Sequence, residues 1–240
     1  MWDAIITYKL SLVLLPQIFA LSKVSNTLPF DTCRYSYSQL VESYFMKKAF
    51  EDNRIIPNQP KHEEIEERRR LPPYKGALVI EPIEGIHENI AVVDFRSLYP
   101  TIIITHNISP ETFNCMHEEC KKENSVPELN YHFCKKIMGF IPKYLKFLID
   151  ERKKIKEKMK KIDKNSKEYE NLNHLQNALK IIANATYGYY GYVGAKWYKR
   201  ECGASTTAFG RYYIKKVIEM AKNEGFKIIY GDTDSLFLTI

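Results

Sequence analysis

The sequence lacks a long apolar run and lacks the marks of an export leader. Its most apolar stretch is Leu10 to Leu21, about a dozen residues interrupted by Pro16 and without a basic region ahead of it. A bilayer span needs roughly 20 apolar residues, and a secretory leader needs a basic start. The stretch is therefore read as a buried helix of a soluble, intracellular protein, cytoplasmic and associated with the nucleoid, with no membrane partner. Paired CxxC motifs are also missing. Cys115, His117, Cys120, His132 and Cys134 crowd one short region, which raises the question of zinc, but their spacing is not that of a zinc knuckle. Acidic charge is the minority, with 29 Asp and Glu against 36 Lys and Arg and a net charge of +7. That balance suits a polyanionic partner without specifying one.

With 240 residues, 45% of them hydrophobic, the chain can build one large domain or two small ones around a real core. Its 17 Tyr and 12 Phe are read mainly as core. The most informative stretch lies near the C-terminus. Ile228 to Tyr230 and Leu236 to Leu238 are short β-type runs, separated by Gly231, Asp232, Thr233 and Asp234, residue types that make a tight turn. A hairpin here carries two carboxylates at the rim of a sheet. A second segment, Ala91 to Ile103, reads as a buried strand delivering Asp94 at its end, before a turn. Carboxylates from two strand ends can converge on hard divalent cations, which take oxygen ligands.

Between these segments the pattern is mostly helical. Leu40, Val41, Tyr44, Phe45, Ala49 and Phe50 recur at helical spacing up to the break at Pro57 and Pro60. Lys61 to Arg70 is a mixed-charge run, read as a solvated helix face or linker. From Lys143 onward Ile149, Ile155, Met159 and Ile162 recur on one side, the periodicity pauses at Asn165 and Ser166, and it resumes from Glu168 to Tyr187. Two helices and a short turn make an antiparallel hairpin. Arg152 and Lys156 share one face of its first helix, and Lys180 and Asn184 one face of its second, with Tyr187 nearby. Cationic donors on rigid elements are what a triphosphate requires. Ser205 to Lys222 is a further amphipathic helix ending before Gly225, placed to cover one face of a sheet.

Three of these segments together resemble family-B DNA polymerases, especially archaeal ones. Asp94 to Ile102 resembles the family's motif A (DFxSLYPSII), with Thr101 in place of Ser. Lys180 to Gly188 resembles motif B (KxxxNSxYG), with Ala185 in place of Ser. Tyr230 to Ser235 matches motif C (YGDTDS) without a departure. The resemblance covers nearly the whole chain and only part of a normal family-B polymerase. It implies an α/β (α+β) polymerase palm with an antiparallel sheet and helices on one face, plus a helical fingers hairpin. The implied division is residues 1–60 as connecting helices, 61–142 as the first part of the palm, 143–187 as fingers and 188–240 as the second part of the palm.

The implied activity is DNA-templated nucleotidyl transfer from a deoxynucleotide to a primer 3′-hydroxyl, in replication or repair. The resemblance assigns two Mg2+ ions to Asp94, Asp234 and the Phe95 carbonyl, with Asp232 as a supporting carboxylate. Arg152, Lys156, Lys180, Asn184, Tyr187, Ser97, Leu98 and Tyr99 would bind the nucleotide. Tyr99 would floor the sugar pocket and exclude a 2′-hydroxyl; standing before Pro100, it is expected to be extended. Tyr74, Gly76, Gly188 and Arg211 would meet primer–template DNA, and the aromatics of Tyr189 to Tyr192 would either lie beneath the template or fill core.

Cys120 and Cys134 match positions that pair as a disulfide in archaeal relatives, worth about 3 kcal/mol for so short a loop; a reduced pair is the alternative. Lys199 stands where a second pair would need cysteine, leaving Cys202 alone. Asp3 resembles the end of an exonuclease motif whose partner motifs are absent, so proofreading is not expected. The thumb and its lysine motif are likewise not found. The alternative reading is therefore a non-catalytic DNA-binding piece, or a split-polymerase subunit needing a separate chain with thumb or exonuclease domains.

Overall fold

The computed structural model describes residues 2–239. The chain divides into two compact units. One comprises Met1–Arg68 and Lys143–Tyr198; the other comprises Arg69–Pro142 and Lys199–Ile240. The N-terminal helices thus belong with the helical hairpin, and the chain crosses back at residue 199, eleven positions beyond the expected 188.

The first unit is helical. Helix α1 (Trp2–Ser25) is followed by the short α2 (Pro29–Thr32), α3 (Tyr37–Glu51) and α4 (His62–Arg70), then by the hairpin of α7 (Phe140–Met159) and α8 (Lys167–Gly191). Helix α3 begins at a capping box in which Ser36 and Gln39 satisfy each other's amides, removing two of the orphan donors of a helix start. Its apolar stripe of Leu40, Val41, Tyr44 and Phe45 is buried, as are Ala178, Leu179, Ile182 and Ala183 on α8. The α8 start is capped by Ser166, which accepts from the Tyr169 amide. Helix α4 buries no residue, as its charge pattern suggests, but Arg68 donates to the carbonyls of Val193 and Ala195.

Helix α1 corrects the first expectation. It is 24 residues long, well beyond the apolar core of a dozen, and only Leu21 and Ser25 are buried. By length and composition it is apolar enough to cross a membrane, with a mean hydropathy of 1.7 over an 18-residue window. Its contacts with α8 are made through residues such as Gln17, which hydrogen-bonds His174. Ile6, Leu12, Val13 and Phe19 remain exposed.

The second unit is built on a four-stranded antiparallel sheet in the order β1-β3-β4-β2, from Val79–Ile80, Lys227–Asp232, Ser235–Thr239 and Ala91–Asp94. β1 and β2 do not pair with each other; the β3–β4 hairpin lies between them. Helix α9 (Arg200–Asn223) covers one face through Ile214, Val217, Ile218 and Ala221, against Ile228, Leu236, Leu238 and Ile80. β2 is an edge strand whose four residues are all exposed, so the buried strand expected before Asp94 is not found. Alternation cannot distinguish an apolar edge from a core strand. After β2 come α5 (Leu98–Thr105) and a loop-rich excursion containing a 3-10 turn (Pro110–Thr112) and α6 (Glu118–Glu123).

Candidate active site

The β3–β4 connection is a two-residue turn. Asp232 pairs with Ser235, and Thr233 takes a left-handed backbone at φ 54°. Such a conformation is strained for a β-branched residue. It is held by three contacts: the Thr233 amide donates to Leu78, the Asp234 amide to Asp232, and the Thr233 hydroxyl to the Asp232 carboxylate. On the other side, Asp94 stands opposite Ser235 in the β2–β4 ladder, and the Phe95 amide donates to the Asp234 carbonyl at 2.8 Å. Two segments 140 residues apart are thereby locked in register, with Asp94 and Asp234 both lining a cavity of about 200 Å3 shared with Val93, Phe95, Val217 and Leu236.

The electrostatics agree with that geometry. Burial raises the Asp234 pKa above the usual carboxylate range, and the neighbouring charges of Asp94 and Asp232 raise it further, against a hydrogen bond to its own backbone. Carboxylates that repel each other at a sheet rim form a donor set suited to a hard divalent cation. Asp94 and Asp234 bring two such carboxylates to one rim.

Tyr99 is half-buried in the first turn of α5, not extended. A proline there costs no hydrogen bond, since first-turn amides lack intrahelical partners, and that outweighs the bias on the preceding residue. Ser97, at φ 52°, is the left-handed residue that opens the helix, and Leu98 is buried. The Tyr99 ring rests on Gly210 of α9, where an added Cβ would come within 3.1 Å of its Cε1. Tyr99 has a raised pKa from burial and then from Asp234, which places its ring in the electrostatic reach of the carboxylates. Gly210 was missed in the sequence. Its signal is a pair of glycines, Gly203 and Gly210, two turns apart in an otherwise regular helix.

Gly203 makes the same kind of seat for Tyr74, whose hydroxyl would lie 2.6 Å from an added Cβ. Arg211, read as a DNA contact, is 3% exposed. Its guanidinium donates to Glu128 at 2.8 and 3.0 Å and to the carbonyls of Lys75 and Gly76 at 2.9 and 2.6 Å. The charge is consumed inside the fold, so Arg211 is a buried strut for the Tyr74–Gly76 segment instead of a surface cation. Glu128 was also missed. Lys215 and Arg211, opposed by burial, bring its pKa down to about 2.

The expected nucleotide-binding cations lie in the helical unit. Lys158 pairs with Glu168 at 2.7 Å, and the Arg152 Nε donates to Gln176 at 3.1 Å. These two contacts fix the antiparallel register of α7 and α8. Along the hairpin axis the order is therefore Lys156, Arg152, Lys180, Asn184, Tyr187, with about one turn between neighbours. Lys156, Lys180 and Asn184 are exposed, and Arg152 and Tyr187 are partly buried. The structure gives a strip and not a single cluster. Gly188 is exposed, with nothing within 4 Å of an added Cβ. Tyr189 and Tyr190 are fully buried, which decides their role in favour of core; Tyr189 donates to Glu42 at 2.8 Å.

The five cysteines are free, Cys120 and Cys134 among them. The Cys120–Cys134 pairing is not formed in this structure.

A carboxylate-bearing antiparallel hairpin, a helical cover on one sheet face and an inserted helical hairpin are the palm and fingers of a polymerase fold. The family model for DNA polymerase family B matches residues 30–240, and the chain belongs to that family. It is 46% identical over 241 residues to the DNA polymerase of Pyrococcus glycovorans, covering 100% of this chain and 31% of that protein. Identity to the DNA polymerase of Archaeoglobus fulgidus is 39% over 237 residues, covering 99% and 29%. Among solved structures, the family B DNA polymerase of Pyrobaculum calidifontis superimposes with a TM-score of 0.79 at 40% identity, covering 96% of this chain and 30% of that one. The chain spans less than a third of the length of these relatives.

Proposed function

We propose that this chain carries the nucleotidyl-transfer centre of a DNA-templated DNA polymerase working inside the cell on primer–template DNA. The observation that supports this most is the convergence of Asp94 and Asp234 at one sheet rim, fixed by the Phe95–Asp234 hydrogen bond. In this reading the primer 3′-oxygen attacks the α-phosphorus of a deoxynucleoside triphosphate, a new phosphodiester bond forms, and pyrophosphate leaves. Asp94 and Asp234 would hold two divalent cations of the magnesium type, which supply a lowered pKa at the primer hydroxyl and charge neutralisation at the leaving oxygens. Asp232 steadies the turn through Thr233 and adds negative potential. Tyr99, seated on Gly210, limits the room beneath the sugar. Arg152, Lys156 and Lys180 neutralise the triphosphate, and Asn184 and Tyr187 face the new base pair.

The test is a chimera in which this chain replaces the matching segment of the Pyrococcus glycovorans polymerase. Primer extension well above an Asp234→Asn control supports the reading. A folded chimera that binds DNA but extends no primer rejects it, in favour of a non-catalytic DNA-binding role.

A further inference from the structure

The loop-rich excursion between α5 and α7 has little regular structure. Beyond its 3-10 turn and the six-residue α6, its pairing consists of two isolated bridges, Phe113 to Phe133 and Ser125 to His132. Within it, the ligand atoms of Cys115, His117, Cys120 and Cys134 all lie within 4.8 Å of one another. We propose that these four side chains bind a structural zinc ion as a closed Cys3His site.

The spacing of the ligand atoms is compatible with a metal site. Tetrahedral zinc with Zn–S near 2.3 Å and Zn–N near 2.0–2.1 Å requires sulfur–nitrogen separations of about 3.6 Å and sulfur–sulfur separations of about 3.8 Å. The Cys134 Sγ lies 3.5 Å from the His117 Nδ1. His117 stands at the N-cap position of α6, without a capping side-chain bond, and Cys120 follows within its first turn. Cys115 approaches from the preceding strand-like segment, and Cys134 from the chain returning after the Phe113–Phe133 bridge. Four ligands from three directions leave no open position, as in structural sites and unlike catalytic ones.

The surroundings suit thiolates. The Lys135 amide donates to the Cys120 Sγ at 3.3 Å. The His132 ring contacts the Cys115 carbonyl at 2.7 Å and so fixes the backbone that presents the first ligand. Three thiolates, a neutral imidazole and a dication leave a net charge of −1, and Lys121, Lys122, Lys135 and Lys136 flank the ligands in sequence. Cys120 and Cys134 are both buried, which favours a soft, desolvated ion over a hydrated one. A disulfide between them would use two of the sulfurs and leave Cys115 and His117 facing it without a task.

The consequence is mechanical. Cys134 ends a loop that begins at Cys120 and contains Glu128, the carboxylate that grips Arg211. The Asn107 amide nitrogen donates to the carbonyls of Cys134 and Ile137, while its oxygen accepts from Gly139. Zinc would therefore brace both the C-terminal end of α5 and the clamp that holds Lys75 and Gly76.

The test uses the whole 240-residue chain, purified under reducing conditions without chelator. Elemental analysis is expected to find ~1 zinc per chain. After zinc removal, titration with cobalt(II) is expected to give thiolate-to-cobalt charge-transfer absorption and the visible bands of a tetrahedral site, saturating at one equivalent and bleached by zinc chloride. Cys115→Ser and His117→Ala should weaken cobalt binding by more than the ~100-fold that loss of an outer partner costs, while Cys33→Ser leaves it unchanged. Fewer than ~0.1 zinc per chain with no tetrahedral cobalt spectrum overturns the proposal. So does a parallel preparation made without reductant that holds no metal and whose peptides carry a Cys120–Cys134 disulfide. Zinc content, cobalt spectrum and disulfide state are all measured on the unmutated chain, so a variant that fails to fold cannot obscure them.

Discussion

The Phe95 amide donates a hydrogen bond to the carbonyl of Asp234 at 2.8 Å. Residues next to one carboxylate thus clamp the backbone of the other, so the distance between Asp94 and Asp234 is set by main chain and not by side-chain packing. A mutation that removes either carboxyl group should leave this clamp intact.

Asp94→Asn and Asp234→Asn should therefore each abolish primer extension in the chimeric polymerase while DNA binding persists. Activity within tenfold of the parent would defeat the assignment, because losing a shared ligand should cost well over ~1.4 kcal/mol of barrier. The same substitution has an opposite expected effect on stability. The folded pKa of Asp234 is raised by burial and by Asp94, so its contribution to stability is present at low pH and is lost as pH rises through the folded value. Once ionised, Asp234 opposes folding. Asp234→Asn should accordingly raise the Tm of the metal-free chain; an unchanged or lower Tm would contradict that account.

Glu128 gives the reverse case. Its folded pKa is lowered to about 2, by Lys215 first and Arg211 next, against the opposing effect of burial. Its stabilisation is complete above the unfolded value and disappears as pH falls toward 2. Glu128→Gln should flatten the acid side of the stability curve and destabilise the chain at pH 7, because Arg211 stays buried without its counter-charge. Chemical denaturation at pH 7 and pH 3 measures both. A loss that is the same at the two pH values would show that Glu128 acts through packing alone.

Local chemistry made part of the fold legible in the sequence. The β3–β4 hairpin, α3 and the α7–α8 hairpin could be read because turn chemistry, capping residues and apolar periodicity are local. Motif order supplied the rest of the palm. Arg211 looked like a surface cation because its partner, Glu128, lies 83 residues away, and nothing nearby signals burial. β2 and α1 misled in the other direction: apolar composition states a preference for burial but does not name the surface that provides it. The metal ligands were visible as residues. Their convergence was not, since Cys134 joins the other three only through the returning loop. The divide at residues 68, 142 and 198 depends on packing across long stretches, which no window of sequence contains.

The fingers strip predicts a graded effect on nucleotide binding. Each charge-assisted contact to phosphate is worth roughly 1.5–3 kcal/mol. Arg152→Ala and Lys180→Ala in the chimera should each raise the KM for the incoming nucleotide at least tenfold, and the losses should shrink as salt is raised. Lys158→Ala, which breaks only the exposed pair with Glu168, should change KM less than threefold. Equal effects for all three would mean that the basic hairpin acts as a diffuse charge.

The seat beneath Tyr99 predicts a change in sugar selection from a residue that touches no substrate. Tyr99→Ala should open the space at the 2′ position and raise ribonucleotide incorporation relative to deoxynucleotide. Gly210 lies under the same ring, and a methyl group there would sit 3.1 Å from the Tyr99 Cε1, closer than a comfortable contact. The ring must then shift by a few tenths of an ångström, toward the carboxylates or away from them. Small displacements of a positioned group cost rate steeply, so Gly210→Ala should lower kcat for deoxynucleotides and alter the sugar ratio, with little effect on DNA affinity. The double variant Tyr99→Ala, Gly210→Ala settles the route. If Gly210 acts by seating Tyr99, its methyl group should have no further effect on the ratio once the ring is gone. An undiminished effect in the double variant would mean that Gly210 is needed only for the packing of α9.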